Sequence, residues 1–286
     1  MGNATVQSIH VHPVKALRGV SPRTAVVEPW GLAGDRRWTL IDNGGKVVTQ
    51  REQPRLALAA AEPLAGGGVR LSAPGREPLT VEVPEPAATV PVHVFGTEVA
   101  GVPAAAAAHA WCGAFLGAEV RLVHMDDPAV RRPVDPEYAL PGETVSFADG
   151  YPLLVTTAAS LDALNSLIAA GPYAHEGPLP MNRFRPNVVV AGTEPWAEDR
   201  WRRISVGGVV FRAARPSGRC VVTTTDQDTA ARGREPLHTL ARHRRTGGRL
   251  LFGLNLVPLS PGTLTVGDPV RVLDAAESDA LAAGRS

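Results

Sequence analysis

Along the first hundred residues apolar side chains recur at every second position over short stretches, and turn-forming residues separate one stretch from the next. Residues 6–14, 23–28, 56–61, 69–72, 79–83 and 90–94 each read as a β-strand, at the spacing of a barrel or sandwich. Among them, Arg37-Trp-Thr-Leu-Ile41, Asp42-Asn-Gly-Gly45 and Lys46-Val-Val-Thr49 predict a hairpin, because Asn-Gly accepts the positive φ values of a tight turn. The alanine-rich residues 104–116, with Trp111, Phe115 and Leu116, instead predict one amphipathic helix in which Cys112 is a small packing residue.

Residues 125–143 break both periods with Asp126-Asp-Pro128, Arg131-Arg-Pro133, Asp135-Pro136 and Pro141-Gly142, which predicts a long connection between two lobes. Beyond it, 152–155 reads as a buried strand, and Thr156-Thr-Ala-Ala-Ser160 leads into a helix over 161–170 with Thr157 or Ser160 as N-cap. Such a helix start can also receive an anion. Strands follow at 187–190, 203–206, 209–213 and 220–224, a short helix at 236–242, and closing strands at 252–257, 263–266 and 270–273. The expected fold is therefore mainly β with a few helices (α+β), in two lobes at 1–124 and 146–274. A connecting segment at 125–145 joins them, and a frayed tail covers 275–286. A parallel doubly wound sheet has no support.

Composition narrows the function classes. A chain of 286 residues, 44% hydrophobic, with a net charge of +1, can bury a sizeable core but lacks the basic excess of a nucleic-acid binder. No run approaches the ~20 apolar residues of a membrane span, and the N-terminus enters a strand pattern without a signal peptide, so the expected address is cytoplasmic with no membrane partner. Two cysteines, Cys112 and Cys220, are too few for a disulfide framework, a structural zinc site or a four-cysteine iron–sulfur cluster. Any redox chemistry then needs a bound cofactor. Gly66-Gly-Gly68 lacks the strand-to-helix setting of a dinucleotide loop, and Asp35 and Asp42 have no spacing that marks an acid–base pair. His10 and His12 alternate on one strand face, but two imidazoles without a third ligand make a weak metal site, so they read as structural or solvent-facing.

The chemistry concentrates in Arg215-Pro-Ser-Gly-Arg-Cys220-Val-Val-Thr-Thr-Thr-Asp226, a lone cysteine in a turn flanked by arginine and hydroxyl donors. A soft thiolate beside anion-binding groups fits a metal-bearing, phosphorylated cofactor, although a lone cysteine also serves as core filler. Of 29 basic residues only Lys15 and Lys46 are lysine, so Lys15 marks a place where a compact point charge suits better than a planar fork, or else an ordinary surface position.

In order, Pro13-Val-Lys15-Ala-Leu-Arg-Gly19, Gly34-Asp-Arg36-Arg-Trp38, Phe184-Arg185-Pro-Asn187, Ser217-Gly-Arg-Cys220, Thr223 to Asp226, Glu235-Pro-Leu237, Phe252-Gly-Leu-Asn255 and Val266-Gly-Asp-Pro-Val270 resemble the MOSC family. Within it they are similar to the amidoxime-reducing components and their bacterial relatives. The resemblance runs over about residues 4 to 274 and implies an N-terminal MOSC β-barrel domain followed by a MOSC β-barrel domain. It further implies a molybdenum cofactor (Mo-molybdopterin) with Cys220 as metal ligand and catalytic residue, and at family level it leaves pyridoxal phosphate binding open. Lys15, Arg36, Arg183, Arg185 and Asn187 match the family's phosphate and pterin donors. Ser217, Arg219 and Thr223 flank the ligand, and Thr156, Thr157 and Ser160 match a hydroxyl run whose other role is N-capping. The chain departs from the family at Ala16 and Gly218, where a hydroxyl is usual; Ser217 can substitute for the second. Asp199 and Trp201 match a further run without a catalytic role.

The implied activity is reduction of a small N-oxygenated substrate, such as an N-hydroxylated amidine, hydroxylamine or base analogue. With no cysteine cluster or flavin motif, electrons would come from a separate donor protein, ferredoxin- or haem-type, with its reductase. The alternative is a carrier or sulfur-handling protein that binds the cofactor without turnover of its own.

Overall fold

The computed structural model describes residues 3–85 and 88–276, and the tail expected to fray lies outside them from residue 277 on. The architecture is mainly β with four helices, as the patterning implies. An eight-stranded sheet runs in the order Thr5–Ile9, Val188–Ala191, Leu153–Thr157, Arg249–Pro258, Val209–Gly218, Trp201–Val206 and Val270–Ala275, with Arg245–Thr246 added beside Arg249–Pro258. It curls into a half-barrel whose ends approach each other: Val6 N donates to Asp268 O at 2.9 Å and Val270 N to Ala4 O at 2.8 Å. Leu153–Thr157 and Val188–Ala191 form its parallel pair, and the other ladders are antiparallel. The chain between these two strands carries helix α3 (Ala158–Ala169), the crossover that a parallel pair requires.

The other lobe holds a four-stranded sheet, Trp38–Ile41, Arg121–His124, Thr97–Pro103 and Val90–Val94, and a three-stranded one, Ala60–Pro63, Val69–Ala73 and Arg76–Val81. Helix α1 (Ala106–Leu116) covers them, ends at Gly117 in the left-handed conformation, and buries Ala108, Cys112, Phe115 and Leu116 against the cluster around fully buried Trp38. Burial alone pushes the Cys112 thiol up to about 12, which suits a packing residue.

The lobes are not successive pieces of chain. Thr5–Ile9 pairs with Val188–Ala191, and Thr24–Glu28 pairs with Gly262–Thr265, so the first thirty-odd residues complete the sheets of the second lobe. Val6, Ile9, Val27 and Leu32 share one core with Leu153, Val188 and Phe211. The connection expected over 125–145 also has structure of its own: helix α2 (Pro128–Arg131), capped by the Asp127 carboxylate, and a bridge between Pro133 and Thr144.

Three local expectations change. A turn forms there, but its positive φ falls on Gly45 and not on Asn43 or Gly44, with Asp42 Oδ1 accepting from Gly44 N and Lys46 N at 2.9 Å each. Its second arm pairs only as a bridge, Ile41 with Val47, because His93 takes the next position beside Lys46. Pro54 opens a short 3₁₀ turn, Pro54–Leu58, where a strand was expected, since its ring removes the donor a ladder needs. Residues 220–224 likewise form a 3₁₀ turn, Val221–Thr224, with Cys220 at its head.

Candidate functional site

A cavity of ≈ 780 Å³ lies between the lobes. The second lobe contributes the 3₁₀ turn that begins at Cys220, and the first contributes the loop carrying Thr49, Gln50 and Arg51. Segment 225–232 fastens the two walls. Gln50 and Gln227 exchange side-chain hydrogen bonds, Nε2 to Oε1, at 3.1 and 3.0 Å. Arg18 donates to Gln227 O, and Arg232 donates to Gln50 O and Arg51 O.

Of the residues singled out in the sequence, Lys15, Arg36, Arg183, Arg185 and Asn187 line this cavity, as do Ser217, Arg219, Cys220 and Thr223. Each is held by its own local bonds. Arg36 donates to Asn187 Oδ1 and to Arg185 O at 3.1 Å each and pairs with Asp35. Asn187 also accepts from Leu154 N at 3.1 Å and donates to His10 O at 3.2 Å, so its amide ties the cleft floor together. Arg183 reaches Thr224 O and Asp226, Arg185 reaches Leu17 O, and Arg219 bonds Ser217 Oγ at 2.7 Å. Thr223 Oγ1 donates to Cys220 O at 2.8 Å, which fixes the turn behind the thiol.

Thr156, Thr157 and Ser160, expected either among the cofactor donors or as N-caps, are not among the residues that line the cavity. All three are fully buried outside the cavity lining. Thr157 Oγ1 caps α3 by accepting from Ser160 N at 3.1 Å, and both hydroxyls donate to the buried Glu198 carboxylate. Thr156 Oγ1 lies 3.3 Å from Met181 Sδ. Strand Leu153–Thr157 therefore spends these hydroxyls on capping and packing. Asp199 pairs with Arg244, also outside the cavity lining. His10 bonds Ser8 and Ser21, while His12 is buried with both ring nitrogens unpartnered and its pKa pressed far down by burial and by Arg185 and Arg36.

Several cleft residues had no signal in the sequence. Asp149 takes the Lys15 ammonium, which also donates to Phe147 O at 2.8 Å. Arg132, buried in the connection, donates to Ser146 O, Ala148 O and Asp149 O and so shapes the loop that Lys15 grips. Arg51 brings a guanidinium nitrogen to 3.5 Å from Cys220 Sγ. Among the described residues, four of the six non-glycine residues with positive φ, Ala16, Arg36, Phe95 and Arg185, line the cavity, so backbone strain concentrates there.

Charge in the cleft is lopsided. Lys15, Arg36, Arg51, Arg183 and Arg185 line it together with Arg215, Arg219, Arg245 and Arg249, against only Asp135 and Asp149. Burial, partly offset by Asp149, lowers the Lys15 ammonium to about 8. Burial and the charge of Arg36 lower Arg185 to about 9, and burial lowers Arg219 to about 10. Asp149 moves the other way: burial would raise its carboxyl, but Lys15, Arg51 and Arg36 hold it well below the usual carboxylate range. The carboxylate itself is open to the cavity. A bound anion would favour the charged form of each of these groups and offset the cost of their burial. Among the described residues no group of three His, Cys, Asp or Glu side chains could hold a metal; the cleft lining holds one thiol, Cys220, and two carboxylates, Asp135 and Asp149.

This fold and cleft define a two-lobed β protein with an anion-receiving cavity around one thiol. Residues 3–119 match the MOSC N-terminal beta barrel domain and residues 142–271 the MOSC domain. The human mitochondrial amidoxime-reducing component 1 is 34% identical over 94% of this chain and 83% of its own length, and the mouse protein of that name 32% identical over 94% and 82%. A rice molybdenum cofactor sulfurase is 29% identical over 88% of this chain and 32% of its own length. The chain belongs to the MOSC-domain family, in the branch of the amidoxime-reducing components with both barrel domains. No helix among the described residues is long and apolar enough to cross a membrane.

Proposed function

We propose that the protein is a molybdenum-cofactor-dependent reductase of small N-oxygenated compounds that draws electrons from a separate donor protein. One observation carries the reading: a partly exposed thiol, Cys220, stands in a cavity whose basic side chains far outnumber its carboxylates. That donor set fits the group. A soft sulfur suits molybdenum, and planar guanidinium forks suit the pterin's phosphate. When bound, the cofactor supplies the two-electron, oxygen-accepting centre, chemistry that no side chain offers.

The chain's own residues bind, orient and hold protons. Cys220 Sγ would hold the metal, on a turn fixed by Thr223. Arg36, Arg183, Arg185 and Arg219 are already oriented by backbone carbonyls, which lowers the entropy lost when they grip an anion. Reduction of an N-hydroxyl group to the amine and water consumes two electrons and two protons. Lys15 Nζ, with its pKa near 8, holds a proton at neutral pH beside the Asp149 carboxylate, and this pair is our candidate for the local proton store. The donor protein supplies the electrons one or two at a time.

The likeness to a molybdenum cofactor sulfurase supports a second reading, a carrier or sulfur-handling protein that binds the cofactor without turnover of its own. Elemental analysis with pterin detection, on protein from a cofactor-competent host, tests both. The reductase requires near-stoichiometric molybdenum and pterin in the wild type, their loss in Cys220→Ala, and consumption of a chemical reductant with an N-hydroxylated substrate. A carrier binds cofactor and activates an apo-enzyme without consuming reductant. Wild type free of metal and pterin would refute both readings.

A further inference from the structure

The arginines of the cavity divide by what they hold. Arg36, Arg183, Arg185 and Arg219 all donate to protein oxygens. Arg51 differs: among the described residues its side chain makes a single hydrogen bond, from Nη2 to Cys220 Sγ at 3.5 Å, a distance that suits the larger sulfur atom. The contact crosses the cavity, since Arg51 belongs to the first lobe and Cys220 to the second. Its geometry is held from several directions. Thr49 Oγ1 accepts from Arg51 N at 3.1 Å, and Arg232 of the second lobe donates to Gln50 O and Arg51 O at 2.5 and 2.7 Å, which pins the backbone. The guanidinium lies against the Phe95 ring, 5.1 Å from its centroid, with the Lys15 ammonium at 5.4 Å. Phe95 itself stands in a two-residue turn with Gly96, at φ 49° and 83°, a conformation that Asn or Gly fills more readily than a bulky side chain. The ring is 54% exposed, so the cover it gives the two cations explains its place better than burial of apolar surface does.

We propose that Arg51 is a positioning residue for the metal centre: its guanidinium donates to the Cys220 sulfur and so sets how much electron density that ligand gives the metal, while Phe95 holds the guanidinium in place. The inference rests on the reductase reading, because it assigns a role toward the bound cofactor. A hydrogen bond and a positive charge at a ligating sulfur draw electron density away from the metal, which favours the reduced form over the oxidised one. One side chain of the first lobe thereby reaches the redox centre held by the second. Strain at Phe95 then has a cause: the ring is kept in a turn that suits it poorly because Arg51 lies against it. Removing the donor should make the centre harder to reduce.

Three variants test this in protein from a cofactor-competent host. Arg51→Met keeps the length and removes donors and charge, Arg51→Lys keeps the charge on a shorter reach, and Phe95→Leu removes only the ring. Molybdenum and pterin are quantified in each. The metal is then titrated with dithionite through redox mediators, which supply the electron for each one-electron step, and followed by the electron paramagnetic resonance of molybdenum(V). In Arg51→Met the equilibrium for one-electron reduction should move against the reduced form by roughly 10- to 100-fold, at about 59 mV per tenfold. Arg51→Lys should move it less, and Phe95→Leu in the same direction by roughly 2- to 10-fold. Full cofactor loading with equal potentials in all four proteins overturns the proposal and leaves the reductase reading standing, since Arg51 would then only close the gap between the lobes. A potential that rises in Arg51→Met overturns it as well. If Arg51→Met loses the cofactor, unchanged potentials in Arg51→Lys and Phe95→Leu overturn it. Wild type without molybdenum and pterin refutes the reductase reading, and this inference falls with it.

Discussion

Arg132 is the residue whose loss should travel furthest from its own position. It sits in the connection between the lobes, 5% exposed, and donates to three carbonyls of the loop that presents Phe147 O and Asp149 to Lys15. Arg132→Met keeps the length and removes the donors. Ser146 and Ala148 are buried, so two carbonyls lose their partner at about 1–3 kcal/mol each, while Asp149 O can turn to water. Against this, burial holds the Arg132 guanidinium down to about 10, and removing the charge regains something like 3 kcal/mol at ~1.4 kcal/mol per unit. The two effects largely offset, so the net lies between a gain of roughly 1 kcal/mol and a loss of roughly 3 kcal/mol, at about 2–4 °C in Tm per kcal/mol, and the effect on the cleft carries the test. Arg132→Lys, with three donors on a point charge instead of a fork, should fall between. Thermal unfolding measures the stability, and calorimetric binding of sulfate to cofactor-free protein measures the cleft, where affinity should drop as the Lys15 loop relaxes. An Arg132→Met protein that binds sulfate as tightly as wild type would refute the idea that this guanidinium builds the loop.

Three further outcomes follow from the same physical terms. Lys15 has a folded pKa near 8, below its unfolded value of 10.5, so the unfolded chain holds more protons between those values; the burden Lys15 places on stability is full below pH 8 and eases toward 10.5. Ligand binding runs the other way: sulfate affinity should fall from about pH 7 to 9 in wild type, and Lys15→Met should flatten that slope in calorimetric titration. Glu198 is buried with its carboxyl pKa raised chiefly by burial, so its charging weighs on the fold increasingly as pH rises above 4.5; Glu198→Gln should raise Tm, and by more at pH 8 than at pH 5. The reverse order would remove the carboxyl as the cause. Gln227→Ala leaves Gln50 Oε1 without its donor and should cost about 1–3 kcal/mol by urea unfolding. Since both glutamines serve one contact, the double alanine variant should lose less than the two single losses together, and strict additivity would argue against the pairing.

Much of this was legible in the sequence, for reasons that can be named. Lys15, Arg36, Arg185, Asn187 and Cys220 stood out because they lie in short strings that match the family's, and all five line one cavity. Asp149 and Arg51 were invisible because their meaning lies across the chain: Lys15 meets Asp149 at a separation of 134 residues, and Arg51 meets Cys220 at 169. Each sits in what reads locally as an ordinary turn. Residues 220–224 misled in another way, since a valine- and threonine-rich run has the composition of a strand. Thr223 Oγ1 and Thr224 Oγ1 instead donate to the carbonyls three residues earlier, and those local bonds hold a 3₁₀ turn. Thr156, Thr157 and Ser160 carried two readings at once, and burial under α3 decides for the cap.

The pairing of Thr5–Ile9 with Val188–Ala191 also governs how the molecule comes into being. On the ribosome the first strand emerges long before its partner and must wait, unpaired and with Val6 and Ile9 uncovered, for about two-thirds of the chain to be made. The loop closed by that one ladder is among the longest the fold contains, and its entropy opposes pairing until the Leu153–Thr157 and Val188–Ala191 strands already offer a template. Neither half cut from the gene should therefore yield a sound domain: a fragment that starts at residue 142 lacks an edge strand of its main sheet, and one that stops at residue 119 carries that strand with nothing to cover it.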